Sequence, residues 1–156
     1  MDYDKIMVPL DGSDLAECVL PHVELIASGC HSTLLELVRV VEPFNLPTRG
    51  HMALTDSDLS RIHEDARAEA NHYLAAVKAR LEGKGFRVTT TVLEGHTTDK
   101  LADYVRDSSA NLIVISTHGR SGPSRWVWGS VADRLLRSVC VPVLMVRAPG
   151  CAAPGA

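Results

Sequence analysis

A single α/β domain, with a five-stranded parallel sheet covered by helices on both faces, is the fold predicted by this chain. Three observations predict it. Short apolar runs alternate strictly with stretches whose apolar residues recur every three or four positions. A glycine-bearing loop, Ser116-Thr117-His118-Gly119, leaves one apolar run, and Gly129-Ser130 then open an apolar-striped segment. Aromatic residues make up only 4% of the 156 residues, so the core is built from Val, Leu, Ile and Ala. That length suits one domain with a sizeable core.

The elements follow in order. Residues 5–10 (KIMVPL) form a first strand that ends at Asp11-Gly12-Ser13, a turn and helix-start signal. Residues 15–26 carry Leu15, Val19, Val23 and Ile26 at helical spacing, and Gly29 stops them. Residues 32–41 (STLLELVRVV) read as the second strand, and 43–55, with two prolines and a glycine, as a surface loop. The clearest element is a long helix with Leu59, Ile62, Ala66, Ala70, Tyr73, Val77 and Leu81 on one face. Ser57 or Asp58 is expected to cap its start and Gly83 its end. Residues 86–93 make a third, partly alternating strand, 98–105 a short helix, and 112–115 the fourth strand. A last helix over 131–139 carries Val131, Leu135 and Val139, and the fifth strand runs from Val141 to Val146.

Five strands and four helices in alternation imply right-handed crossovers and a parallel sheet. Ligands of such sheets bind beyond the C-terminal strand ends, where the strand order reverses. If the first and fourth strands flank that reversal, the loops 11–13 and 116–129 face one crevice. A glycine loop that delivers the chain to a helix N-terminus suits phosphate. Its N–H groups point outward, the helix dipole favours an anion, and glycine permits close approach.

Composition narrows the function. A net charge of −3 argues against sequence-independent nucleic-acid binding, which needs a basic face. No run approaches the roughly 18 apolar residues of a membrane span. The opening residues lack a signal-peptide pattern, so the expected location is the cytoplasm. Cys18, Cys30, Cys140 and Cys151 include no CxxC pair, and neither a metal nor a disulfide role is expected of them. There is no GxSxG elbow, P-loop or HExxH motif, and the seven histidines are scattered. A dedicated enzyme is not expected. Residues 148–156 are small and read as a disordered tail.

From end to end the chain resembles the universal stress protein family. KIMVPLDGSD is similar to that family's first strand and turn, LLELVRVVEP to its second strand, and VLEGHTTDKLADYV to its third strand and following helix. The most diagnostic segment is LIVISTHGRSGPSRWVWGSVADRLLRSVCVPVLMVR. The family's nucleotide-binding branch carries G-x2-G-x9-G-[ST]. Here Gly119 is the second glycine, and Gly129-Ser130 close the motif after nine spacers. Ser116 replaces the first glycine. If that position requires φ > 0 or close backbone approach, a Cβ costs about 1–2 kcal/mol, about a 5- to 30-fold weakening.

The resemblance implies a Rossmann-like sheet of order 3-2-1-4-5 over residues 1–147, with ATP, with or without Mg²⁺, in the crevice. Pro9 and Leu10 then line the base or ribose edge. Asp11 accepts a hydrogen bond from the nucleoside or steers a metal; by itself it reads equally as a helix cap. Val40 meets the adenine, although composition alone makes it core. Ile115 and Ser116 run past the nucleoside. Gly119, Gly129, Ser130 and Val131 offer N–H groups to the phosphates, the bland alternative being a glycine turn with a serine cap. Arg120 pairs with the terminal phosphate or stands as a solvated loop charge, and His118 is read as structural.

The expected function is that of a nucleotide-responsive regulatory homodimer. The apolar edge strand from Val141 to Val146 is one that proteins rarely leave unpaired, and pairing it with its twin across a two-fold axis is the natural solution. Two rivals remain. One is a family member that binds no nucleotide and acts only through unidentified protein partners, a reading favoured by Ser116. The other is a slow ATP hydrolase in the same crevice.

Overall fold

The computed structural model describes residues 3–30, 33–43, 55–117 and 129–147. Strand β1 (Lys5–Pro9) leads into the Asp11–Ser13 turn, where Gly12 takes a φ of +87° that side chains rarely adopt. Ser13 then caps α1 (Asp14–Glu17) by accepting the Ala16 N–H at 3.1 Å.

The single helix expected over 15–26 is two, because α1 stops at Glu17 and α2 (Leu20–Gly29) starts afresh. Pro21 explains the break. Proline lacks the N–H, and its ring collides with the carbonyl four residues earlier, which is that of Glu17. In the first turn of a new helix neither defect matters. The described residues thus carry five helices where the pattern predicts four.

β2 (Leu34–Val41) precedes the 27-residue α3 (Asp56–Glu82). The cap of α3 is Thr55 rather than Ser57 or Asp58. Its hydroxyl accepts the Asp58 N–H while the Asp58 carboxylate takes the Thr55 N–H at 3.1 Å, a reciprocal capping box. Gly83 closes the helix as expected. There follow β3 (Arg87–Glu94), α4 (Thr97–Asp107), β4 (Leu112–Ser116), α5 (Ser130–Ser138) and β5 (Val143–Val146). β5 begins two residues later than predicted; Pro142 accepts from the Ile113 N–H but has no N–H of its own to give to a ladder. The predicted tail, residues 148–156, and most of the predicted surface loop lie outside the described residues.

All strand pairs are parallel and the order is β3-β2-β1-β4-β5, so β1 and β4 flank the reversal. Side chains alternate between two cores. Ile6, Val8, Leu35, Leu37 and Val114 face α1, α2 and α3, where Val23, Leu74, Val77 and Leu81 meet them. Met7, Val38, Ile113 and Ile115 face α4 and α5 through Leu101, Val105 and Leu135. No helix among the described residues is long and apolar enough to cross a membrane.

Leu37 is fully buried at the middle of β2. Leu37→Ala is expected to lower unfolding free energy by about 2–5 kcal/mol, and Thr55→Ala at the exposed cap by about 1 kcal/mol. Urea denaturation with an unchanged slope checks both.

Candidate functional site: a cleft at the strand reversal

The carboxyl ends of β1, β2 and β4 open into a cleft of about 550 Å³, a size common for small-molecule sites. Its walls are built by elements that topology brings together. β1 supplies Pro9, Leu10 and Asp11, β2 supplies residues 38–42, and β4 supplies Ile115 and Ser116. The start of α5 adds residues 129–132, α4 adds Thr97, Thr98 and Leu101, and α3 adds Ala66 and Glu69.

Nine of the predicted site residues therefore converge on one cavity: Pro9, Leu10, Asp11, Val40, Ile115, Ser116, Gly129, Ser130 and Val131. Gly119 and Arg120 lie outside the described residues. The described residues on either side of them meet, the Gly129 N–H donating to the Thr117 carbonyl at 2.8 Å.

Two expectations change in detail. Asp11 does not cap α1, since Ser13 does; instead its Oδ1 accepts the Ser13 N–H at 2.9 Å and the Ser13 hydroxyl at 2.6 Å. That bond pair fixes the turn and holds Asp11 on the cleft wall. Ser116 does not occupy a left-handed position. It ends β4 in register with Val146, and the only non-glycine residue with positive φ among those described is Ser109. The conformational cost of a Cβ therefore does not arise at Ser116.

Helix termini polarise the cleft. The cap of α5 is Gly129, which has no side chain to close the first turn; contrary to expectation its own N–H is taken by the Thr117 carbonyl, and residues 130–132 line the cavity beside it. α4 also points its N-terminus at the cleft, but its cap residue, His96, makes no side-chain bond. Glu42 at the end of β2 fills that role, its Oε1 accepting the Thr97 N–H at 2.9 Å. The bond to the Thr97 N–H holds the Glu42 carboxyl below its usual range, with His96 adding a smaller pull. One helix end is plugged by the protein's own anion; the other begins at a glycine on the cleft wall.

Sequence reasoning did not single out three cleft residues. Glu42 directly follows the second predicted strand, and Glu69 falls off the apolar stripe of the long helix. Arg39 lies within a strand that otherwise reads as core, yet it is buried on the cleft wall, its Nη2 3.2 Å from Glu69 Oε1. A charged residue in the middle of an apolar run was the available signal.

The model of the universal stress protein family matches residues 2–147. The chain belongs to that family. It is 33% identical to universal stress protein MJ0531 of Methanocaldococcus jannaschii over 149 residues, 94% of this chain and 84% of the relative. Solved structures of family members share the fold. Protein MJ0577 of the same archaeon superposes with a TM-score of 0.80 at 21% identity, covering 96% of this chain and 99% of the other. A universal stress protein solved in complex with cAMP gives 0.68 at 20% identity, covering 94% and 98%. A family protein from Arabidopsis thaliana with AMP bound gives 0.65 at 14% identity, covering 94% and 92%.

The depressed Glu42 carboxyl has a pH consequence. A group whose folded pKa lies below its unfolded value stabilises fully above the unfolded value and loses that contribution as pH falls through the folded one. The stability gap between the wild-type chain and Glu42→Ala is therefore expected to be full at pH 7 and to close as pH falls below the ordinary 4.5. Urea unfolding across that range measures it; a gap that persists at about pH 3 contradicts the capping role.

Proposed function

We propose that this chain binds an adenine nucleotide, ATP with or without Mg²⁺, in the cleft and acts as a nucleotide-responsive regulatory protein rather than a dedicated enzyme. The N-terminus of α5, which starts at a glycine on the wall of the cavity, carries this reading. Phosphate oxygens take the N–H groups of the first turn, and the Ser130 hydroxyl lies beside them. The apolar side chains of Pro9, Leu10, Val40 and Ile115 flank a flat base, with Asp11 at the nucleoside. AMP and cAMP in the named relatives support a nucleotide of this class.

Within this reading Ser116 is a tolerated change, because its backbone is extended and needs no glycine. We further propose a homodimer through the edge strand from Val141 to Val146. Among the described residues β5 pairs on one side only, with β4, and Leu144 on it is 38% exposed. A second copy covers such an edge with full hydrogen bonding.

Calorimetric titration of ATP with Mg²⁺ tests the first claim. Stoichiometric binding is expected, and Gly129→Val is expected to weaken it by about tenfold or more, because the new side chain displaces the phosphate from about one charge-assisted hydrogen bond. Gly129 has a φ of −52°, which a side chain accepts, so the valine alters the cleft and not the backbone. Absence of binding in the wild-type chain overturns the claim and leaves the partner-only reading. For the dimer, replacing Val143 and Met145 with lysine is expected to give monomer in sedimentation; an unchanged dimer excludes this interface.

A further inference from the structure

We infer that Arg39 reads the base of the bound nucleotide, taking a ring acceptor while Glu69 beside it takes an exocyclic amine. This rests on the nucleotide reading above. The Arg39 side chain is only 8% exposed, on a cleft-lining residue. Among the described residues its hydrogen bonding is a single contact, from Nη2 to Glu69 at 3.2 Å. A guanidinium has five N–H donors. None of its nitrogens is sealed from water without a partner, so a ligand entering the cleft takes the place of water on the remaining donors.

The plane of the group is held in place. Its central carbon lies 5.3 Å from the ring centre of Tyr73, whose hydroxyl donates to Glu17 Oε1 at 3.0 Å. A stacked guanidinium presents a flat, directional fork. That suits an edge-on contact with a planar heterocycle.

The ligand group that meets Arg39 is neutral. Among the described residues Asp11, Glu42 and Glu69 line the same cleft, three carboxylates against one guanidinium, while the helix N-terminus at Gly129 draws phosphate elsewhere. A donor beside an acceptor, Arg39 next to Glu69, matches a heterocycle edge with a ring nitrogen adjacent to an amine. An amino-substituted purine has that edge.

The test measures ATP by calorimetry and adenosine by ligand-observed NMR, on the wild-type chain, Arg39→Met and Arg39→Lys. Both variants are expected to weaken ATP and adenosine alike by about tenfold, the lower range for one bidentate base contact. Lysine keeps the buried cation, so it remains interpretable if methionine unsettles the core. Unchanged ATP affinity in Arg39→Met overturns the inference. A loss confined to ATP assigns Arg39 to phosphate and overturns it too, as does full rescue by lysine, which needs only charge. If the wild-type chain binds ATP and the variants behave in any of these ways, the nucleotide reading survives and this inference fails. If the wild-type chain binds neither ligand, both fail.

Discussion

The pairing of β1 with β4 is the constraint on which the site depends. Right-handed crossovers place β2 and β3 on one side of β1, and the chain must cross back to lay β4 on the other. At that seam the connections diverge to opposite faces, since α1 to α3 cover one face and α4 and α5 the other. Among the described residues, the strand ends between them line the cleft. The cleft is therefore a by-product of topology, and residues far apart in sequence reach it because the seam gathers their strand ends. The Leu10 N–H donating to the Val38 carbonyl at 2.9 Å continues the β1–β2 ladder up to its rim.

Charge inside the fold serves the same geometry. Glu36 is buried in the middle of β2, where its carboxylate meets Lys5 Nζ at 2.9 Å and accepts the Tyr104 hydroxyl at 2.7 Å. Lys5 also donates to the Ser108 carbonyl at 2.9 Å, just past α4. The pair thus ties β1, β2 and α4 together under the cleft. A buried ion pair gains little overall against its desolvation, but losing one partner strands a charge, so the three elements are locked as a set. Burial chiefly, then the bond to Glu36, raises the Tyr104 pKa, keeping its hydroxyl a donor. Arg134 reaches Asp99 at 3.4 Å and links the two helices whose N-termini frame the cleft.

Most of this was legible in the sequence because it was written in periodicity. The stripe from Leu59 to Leu81 and the apolar runs around Met7 and Ile113 each have one sensible packing. Glycine spacing and family likeness placed Gly129 and Ser130 at the cleft. Elsewhere local chemistry decided, and periodicity was blind to it. Pro21 sits between two residues of an unbroken apolar stripe, Val19 and Val23, so the spacing hid the break that its missing N–H enforces. Thr55 closes a stretch that reads as loop, and its reciprocal bond with Asp58 decides the cap over the more obvious Ser57. Glu42 caps α4 across 55 residues of sequence, a tertiary bond no local rule contains. The meaning of Arg39 depends on α3 packing over it, which sets Glu69 and Tyr73 against one strand residue.

The length of α3 has a consequence of its own. Its 27 residues bury no side chain before Ala70, and His63 and Arg67 already meet Glu94 at the end of β3. The first half of the helix is thus anchored by ion pairs and one capping box, whereas the second half is clamped into the core. Amide hydrogens should exchange in two tiers along this one helix, quickly from Asp56 to about Ala66 and at the global rate near Leu74 to Leu81. The wall that carries Glu69 sits at the boundary between those tiers. One edge of the cleft is therefore free to breathe while the sheet beneath it stays closed.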